Sequence, residues 1–144
     1  MSYLLFEGAF AASLDDRSRL TIPEAFRSQL GREVIVVAAA GATVRVYPAE
    51  AHDALAAAAA ADISNPFAFV SCSLTRTAVD SVGRMLIQAP MVAWLHLRFD
   101  ESGPAEKVIV AGGAGCVTLI SNAGWRGLAS TFGIPAAVAS AASG

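Results

Sequence analysis

One short combination of an aspartate and an arginine occurs twice in the chain. LDDRSRLTI spans residues 14–22 and VDSVGRMLI spans residues 79–87, and both copies have the pattern apolar-Asp-x-x-small-Arg-apolar-x-Ile. An aspartate accepts hydrogen bonds from the backbone of a tight turn, and a guanidinium presents a planar fork that fits phosphate oxygens or the O6/N7 edge of guanine. The chemistry predicted for this pattern is recognition of a phosphate or a base.

The candidate binding residues are the arginines of these two turns. Arg19 and Arg84 end the pattern, and Arg17 lies next to the apex of the first turn. The residues expected to structure the turns are Asp15, Ser18, Asp80 and Gly83. From the residue types alone, the opposite interpretation is equally open: each aspartate and arginine form an ion pair that only holds the turn together.

The charge of the chain is concentrated near these turns. The net charge is −2, which argues against a strongly basic nucleic-acid binder. However, residues 17–32 contain four arginines against one glutamate, and residues 76–98 contain three arginines against one aspartate. Arg27 and Arg32 are interpreted as solvated charges on a helix face, so the turns themselves remain the predicted contact.

The repetition extends well beyond the two turns. VIV at 34–36 recurs at 108–110, and VRVY at 44–47 recurs as VTLI at 117–120, with the polar stretch 98–106 as an insertion in the second half. Each half is predicted to contain a long strand, a turn, a short strand, a helix, a hairpin and a second helix. These elements are expected at 4–11, 19–22, 23–30, 33–47 and 48–61 in the first half, and at 69–79, 84–87, 89–97, 108–120 and 122–132 in the second.

Two such units gain most by pairing with each other, because each alone leaves strand edges exposed. The predicted fold class is α+β, mainly β with short helices: a pseudo-two-fold, swapped-hairpin barrel built from two internal repeats. Residues 1–62 form the first repeat and residues 63–133 the second, both within one barrel domain. Residues 134–144 consist mostly of Ala, Ser, Val and Gly and are expected to form a disordered tail.

The two motifs in register, together with the two hairpins, resemble the MraZ family, a double version of the AbrB-type swapped-hairpin barrel. The resemblance covers residues 6–128 and includes Glu7-Gly8-Ala9, Tyr47-Pro48 and Trp125. It implies a bacterial transcriptional regulator that binds tandem short repeats in double-stranded DNA upstream of a division and cell-wall gene cluster. It also implies a homo-oligomeric ring, and a location in the cytoplasm at the nucleoid.

The resemblance implies which residues contact DNA as well. The basic residues of the family lie in Asp-x-basic-Gly-Arg turns, and they correspond here to Arg17, Arg19 and Arg84. Ser18 replaces the first glycine of the family pattern, and Val82 is not basic. These departures, the net negative charge and the alanine-rich stretch 49–61 leave a second hypothesis: a ring-forming protein-interaction module that kept the barrel and lost most of its DNA affinity.

Other functional classes find little support in the sequence. His52 and His96 are isolated, so no catalytic triad or dyad is predicted, and we expect neither an enzyme nor a cofactor. Cys72 and Cys116 have neither zinc-site nor disulfide spacing, and no metal is expected. No run of about 18 apolar residues is present, which predicts no membrane span. A small-molecule substrate is not expected either.

Overall fold

The computed structural model describes residues 5–61, 74–101, 103–104 and 106–140. The strands are β1 (Ala9–Ala12), β2 (Arg19–Thr21), β3 (Glu33–Ala39), β4 (Thr43–Pro48), β5 (Leu74–Ala78), β6 (Arg84–Leu86), β7 (Phe99–Asp100), β8 (Gly103–Pro104), β9 (Val108–Gly112), β10 (Val117–Ser121) and β11 (Ala139–Ser140). The helices are α1 (Glu24–Leu30), α2 (His52–Ala61), α3 (Ala89–Trp94) and α4 (Asn122–Phe132), with a 3-10 turn (Ala49–Ala51) before α2. The predicted class, mainly β with short helices, is confirmed.

The first helix shows how local sequence sets these short elements. Pro23 precedes α1 with φ −53°, a value compatible with helix entry, and Phe26 and Leu30 lie one turn apart on its buried face. Gly31 ends the helix at φ 80°, a conformation that favours glycine. In the second repeat, His96 follows α3 with φ 52° at the position equivalent to Gly31. Both residues therefore have a positive φ, although their identities differ.

The main sheet shows an exchange of strands between the repeats. Its order is β11-β1-β9-β10-β4-β3-β5. The first strand of the first repeat, β1, pairs antiparallel with β9 of the second repeat, and β5 of the second repeat pairs antiparallel with β3 of the first. Each hairpin is thus completed by a strand of the other repeat, as the swapped-hairpin prediction requires. The seven-stranded sheet is open, with β11 and β5 at its edges.

A pseudo-two-fold axis relates the two repeats. Leu20 is opposite Met85 in the separate two-stranded ribbon of β2 and β6, and Arg45 is opposite Thr118 where β4 meets β10. Each of these pairs joins equivalent positions of the two repeats. The axis therefore passes between β2 and β6 and again between β4 and β10.

The hydrophobic core lies between the main sheet and the ribbon, and both halves contribute to it. Leu20 and Met85 of the ribbon are almost fully buried in it. Phe26 of α1 packs edge-to-face against Phe6 and Phe10, with ring centroids 5.7 and 5.3 Å apart. Since the same apolar cluster includes β9 and β10 residues of the second repeat, neither half encloses a core of its own.

One strand boundary and one predicted loop differ from the sequence prediction. The first strand begins at Ala9 instead of residue 4, because Gly8 adopts φ 100° and Phe6 N–H donates to the carbonyl of Gly113 outside the strand. The insertion at 98–106 contains the short pair β7 and β8. The predicted boundary between residues 62 and 63, and the start of the strand predicted at 69–79, lie outside the described residues.

The chain after α4 also differs from the expected disordered tail. Trp125 Nε1 donates to the carbonyl of Ala136 at 3.0 Å, and β11 pairs in parallel with β1. The stretch 134–140 is consequently held along the edge of the main sheet. A sequence of small residues carries no periodic signal that would predict this strand.

We expect the ribbon to act as part of the core. Leu20→Ala removes a side chain buried at the axis and should lower the free energy of unfolding by about 2–5 kcal/mol. Leu86→Ala, on the outward side of the same ribbon, should change it by about 0.5 kcal/mol or less. Urea unfolding of both variants and the wild type measures the difference. Equal losses for the two variants would contradict this placement of the core.

Candidate nucleic-acid interface

The first turn is held by five hydrogen bonds that centre on Asp15. Its N–H donates to the carbonyl of Arg19 at 3.0 Å, and its own carbonyl accepts from Ser18 N–H at 3.1 Å. Carboxylate oxygen Oδ1 accepts from the backbone N–H groups of Arg17 and Arg19, both at 2.8 Å. The other oxygen, Oδ2, accepts from Arg19 Nε at 2.7 Å.

The second turn repeats these five bonds. Asp80 N–H donates to the carbonyl of Arg84 at 2.9 Å, and the Asp80 carbonyl accepts from Gly83 N–H at 3.0 Å. Its Oδ1 accepts from the N–H groups of Val82 and Arg84, at 3.0 and 2.8 Å, and its Oδ2 accepts from Arg84 Nε at 2.8 Å. The sequence repeat is therefore a repeat of geometry, which holds two guanidinium groups in the same way.

The small residue of each turn connects it to the other repeat. Ser18 has φ 59° and Gly83 has φ 85°, both in the left-handed region. The carbonyl of Ser18 accepts from Ile87 N–H, and that of Gly83 accepts from Ile22 N–H, both at 2.8 Å. Each turn is thus anchored at the end of the other repeat's short strand, so the positions of the two turns are fixed relative to each other.

The ribbon presents both arginines on one face. Leu20 and Met85 point into the core, and because side chains alternate along a strand, the residues on either side of them point outward. Arg19 is opposite Leu86, and Arg84 is opposite Thr21, so the two arginines are diagonal neighbours. Diagonal neighbours in an antiparallel pair have Cα atoms about 7–8 Å apart. We call this outward surface of β2 and β6, with its two turns, the ribbon face.

The ion pairs leave part of each guanidinium available. The Arg19 and Arg84 side chains are 29% and 37% exposed. In both, the hydrogen bond to the aspartate uses Nε, which is the inner nitrogen of the guanidinium. The two terminal nitrogens remain as a pair of donors, which is the edge that binds guanine or phosphate bidentately.

Backbone hydrogen bonds keep the two carboxylates charged. The pKa of Asp15 is lowered from its ordinary value of 3.8, chiefly by the hydrogen bond from the Arg19 backbone N–H. The pKa of Asp80 is lowered in the same way by the backbone N–H of Arg84. Each carboxylate is therefore fixed in its ionised form by the turn itself, before any contribution from the arginine side chain.

Arg27 takes part in this region in a way that the sequence interpretation missed. It is half-buried, and its Nε donates to the carbonyl of Ile22 at 2.8 Å. A Cβ atom at Gly83 would overlap its guanidinium, which therefore covers the second turn. The interpretation as a solvated helix charge is wrong for Arg27. Alignment of the repeats offered a signal, because the equivalent position holds Val92, a buried residue.

Arg17 is placed apart from the other two site arginines. Its backbone N–H binds Asp15, while the residue itself is exposed and borders a groove beside α3 together with Leu86 and Phe99. It extends the basic surface of the first turn away from the axis. The second turn has Val82, an exposed apolar residue, at the equivalent position.

The described residues show no other site with clear chemistry. No group of three or more histidine, cysteine, aspartate or glutamate residues within them could hold a metal ion. His52 Nδ1 lies 3.1 Å from Asp53 Oδ1 at an exposed position on α2. None of the helices in the described ranges is long and apolar enough to cross a membrane.

The fold and the site define a class: a duplicated, strand-exchanged β domain that presents two equivalent Asp-buttressed arginines on one face. Comparison with known proteins finds a matching family and several relatives. The family described as "MraZ protein, putative antitoxin-like" matches residues 5–69. The Transcriptional regulator MraZ of Corynebacterium jeikeium is 31% identical over 127 residues, which cover 84% of each chain.

A second relative extends the comparison. The Transcriptional regulator MraZ of Nocardia farcinica is 36% identical over 102 residues, which cover 67% of this chain and 71% of that protein. The chain belongs to the MraZ family, as the sequence resemblance predicted. This is a family of transcriptional regulators and not of enzymes, which agrees with the expectation for this chain.

The two small turn residues should respond differently to substitution. Ser18→Gly removes the strain of a serine at φ 59° and should raise the free energy of unfolding by about 0.5–1 kcal/mol. Gly83→Ala adds a Cβ at φ 85° that overlaps Arg27, and should lower it by about 1–2 kcal/mol or more. Urea unfolding measures both. Destabilisation by Ser18→Gly would contradict the strain assigned to Ser18.

A titration tests what holds the carboxylates ionised. A group with a lowered folded pKa stabilises the protein above its unfolded pKa, and this contribution is lost as the pH falls through the lowered value. We expect NMR titration midpoints below 3.8 for Asp15 and Asp80, with the turns loosening only at that acidity. In Arg19→Ala the backbone donor remains, so the pKa of Asp15 should stay below 3.8. A return to 3.8 in that variant would show that the ion pair is the main cause.

Proposed function

We propose that this protein is a sequence-specific DNA-binding transcriptional regulator that reads DNA through the ribbon face. The observation that carries the proposal is the pair of identically held arginines, Arg19 and Arg84, on one rigid outward surface. The names of the relatives support the regulatory role. Arg17 adds a phosphate contact beside the first turn.

The geometry favours this role over a purely structural ion pair. In the first turn, Asp15 already accepts two backbone N–H groups, and two backbone hydrogen bonds close the turn without any side chain of Arg19. The turn is therefore closed without the hydrogen bond from Arg19 Nε to Asp15 Oδ2. The main effect of this bond is to orient the guanidinium. A guanidinium held in this way loses little side-chain freedom when its terminal nitrogens bind guanine, which improves both affinity and selectivity.

The low basic charge of the chain makes assembly part of the proposal. One protomer offers few phosphate contacts, so its binding to DNA would be weak and sensitive to salt. A homo-oligomeric ring that places several ribbon faces on tandem repeats would raise the apparent affinity by about 10²–10⁴ through linkage alone. We propose that such repeats lie upstream of a division and cell-wall gene cluster, and that the protein acts in the cytoplasm at the nucleoid.

A second candidate function rests on a different surface. The end of α4 and the residues after it expose large apolar side chains, with Leu128 and Phe132 one helical turn apart and Ile134 close behind. Phe132 is 71% exposed. An apolar surface of this kind is typical of a contact between proteins. The alternative function is thus a ring-forming interaction module with little DNA affinity.

The decisive measurement is fluorescence anisotropy with a duplex that carries tandem G-rich repeats, compared with a scrambled duplex of equal length. We expect the wild type to prefer the repeats, and we expect Arg19→Ala and Arg84→Ala each to cost about 1–3 kcal/mol of discrimination. The double variant should lose the preference altogether.

Arg126→Ala is the matched control, because it removes the same charge from an exposed position on α4. Light scattering on the same samples reports the assembly state. Loss of preference in the turn variants, with assembly and the control unchanged, supports the ribbon face as the DNA-reading surface. Rings of wild-type protein that bind neither duplex would instead favour the interaction module.

A further inference from the structure

Two grooves flank the ribbon, and the pseudo-two-fold axis relates them. Each lies between the turn of one repeat and the short helix of the other. The α1 groove has a volume of about 430 Å³, and its lining includes Arg27, Ser28, Arg32, Asp80, Ser81 and Gly83. The α3 groove has a volume of about 550 Å³, and its lining includes Arg17, Val92, Ala93 and Phe99.

The chemistry of the two grooves has diverged. Val92 of the α3 groove occupies the position of Arg27, and Ala93 that of Ser28. Phe99, from the insertion of the second repeat, adds a further apolar side chain to the α3 groove. Two arginines, Arg27 and Arg32, line the α1 groove, whereas one, Arg17, lines the α3 groove. The two grooves therefore have equivalent backbones but different charges.

The Arg27 guanidinium is fixed in the α1 groove. Its Nε is bound to the carbonyl of Ile22, and its plane covers Gly83, where no Cβ could fit. Its terminal nitrogens form no ion pair with a carboxylate of the described residues, and neither does the guanidinium of Arg32. The structure thus places a bound guanidinium, that of Arg27, and an exposed arginine, Arg32, on the same groove.

The other groups on the lining complement these donors. Ser28 and Ser81 supply two hydroxyl groups. The carboxylate of Asp80 is the acidic group of the lining, and it is already bound by the backbone N–H groups of Val82 and Arg84 and by Arg84 Nε. A surplus of positive charge and of hydrogen-bond donors remains, which suits a tetrahedral oxyanion with several acceptor oxygens.

We infer that the α1 groove binds a phosphate group. The groove adjoins the turn that holds Arg84, so in a DNA complex the ligand is a backbone phosphate next to the base that Arg84 contacts. This placement rests on the proposed function, whereas binding of phosphate itself does not. Arg27 and Arg32 then supply affinity beside the second turn that does not depend on base sequence, as Arg17 does beside the first.

The test compares salt dependence for the wild type, Arg32→Gln and Arg27→Gln/Arg32→Gln. Loss of one phosphate contact should weaken binding to the repeat duplex and to the scrambled duplex by the same factor, about fivefold at about 0.15 M salt, and should reduce the slope of log K against log salt by about 0.9. Arg126→Gln, with the same charge change on α4, should leave the slope unchanged. Arg32 is exposed, so its variant should fold even if loss of Arg27 disturbs the second turn.

Calorimetry with inorganic phosphate on the protein without DNA separates the two possible sources of the ligand. Binding of inorganic phosphate that is lost in Arg32→Gln, together with an unchanged DNA slope, identifies free phosphate as the ligand and excludes the backbone placement. If the wild type binds no DNA at all, the proposed function fails, but calorimetry still tests whether the α1 groove binds phosphate. An unchanged DNA slope together with no phosphate binding overturns the inference.

Discussion

The structure depends on two reciprocal hydrogen bonds across its pseudo-two-fold axis, from Ile22 N–H to the carbonyl of Gly83 and from Ile87 N–H to that of Ser18. They tie each turn to the opposite repeat, so a turn cannot move without disturbing the other half. Because both carbonyls belong to residues in the left-handed region, the same backbone conformation that sharpens the turn also aims its acceptor at the partner strand. The precision of the arginine positions follows from this constraint and not from the turn sequence alone.

Because the two repeats lie in one chain, their backbones can be related by symmetry while the side chains at equivalent positions differ. A homodimer must carry the same residue at both equivalent positions, whereas this chain has Arg27 in one half and Val92 in the other. The arginines that face outward from the ribbon, Arg19 and Arg84, are retained in both copies. Their surroundings differ, and the ribbon face therefore has two equivalent arginines set in unequal environments.

The sequence predicted the repeat, the strand exchange and the family because these depend on patterns present in both copies. Spacing alone also allows the ion pair between Asp15 and Arg19. What escaped prediction depends on contacts distant in sequence. Arg27 covers Gly83 only after the two repeats have docked, and no local pattern reports that contact. Likewise, β11 joins the sheet because β1 offers it an edge, while its own small residues carry no strand signal.

The open sheet has a consequence for how copies of this chain can join. One edge is β5, whose neighbour β3 is antiparallel to it, and the other is β11, which runs parallel to β1. At one edge, β11 lies beyond β1, whereas among the described residues no strand lies beyond β5. The two edges are therefore different surfaces. A contact that joins one edge to the other is head-to-tail, and it can be satisfied again by every further copy. The rotation between neighbouring copies decides whether such a series closes into a ring or continues as a filament. The residues at the two edges control this rotation.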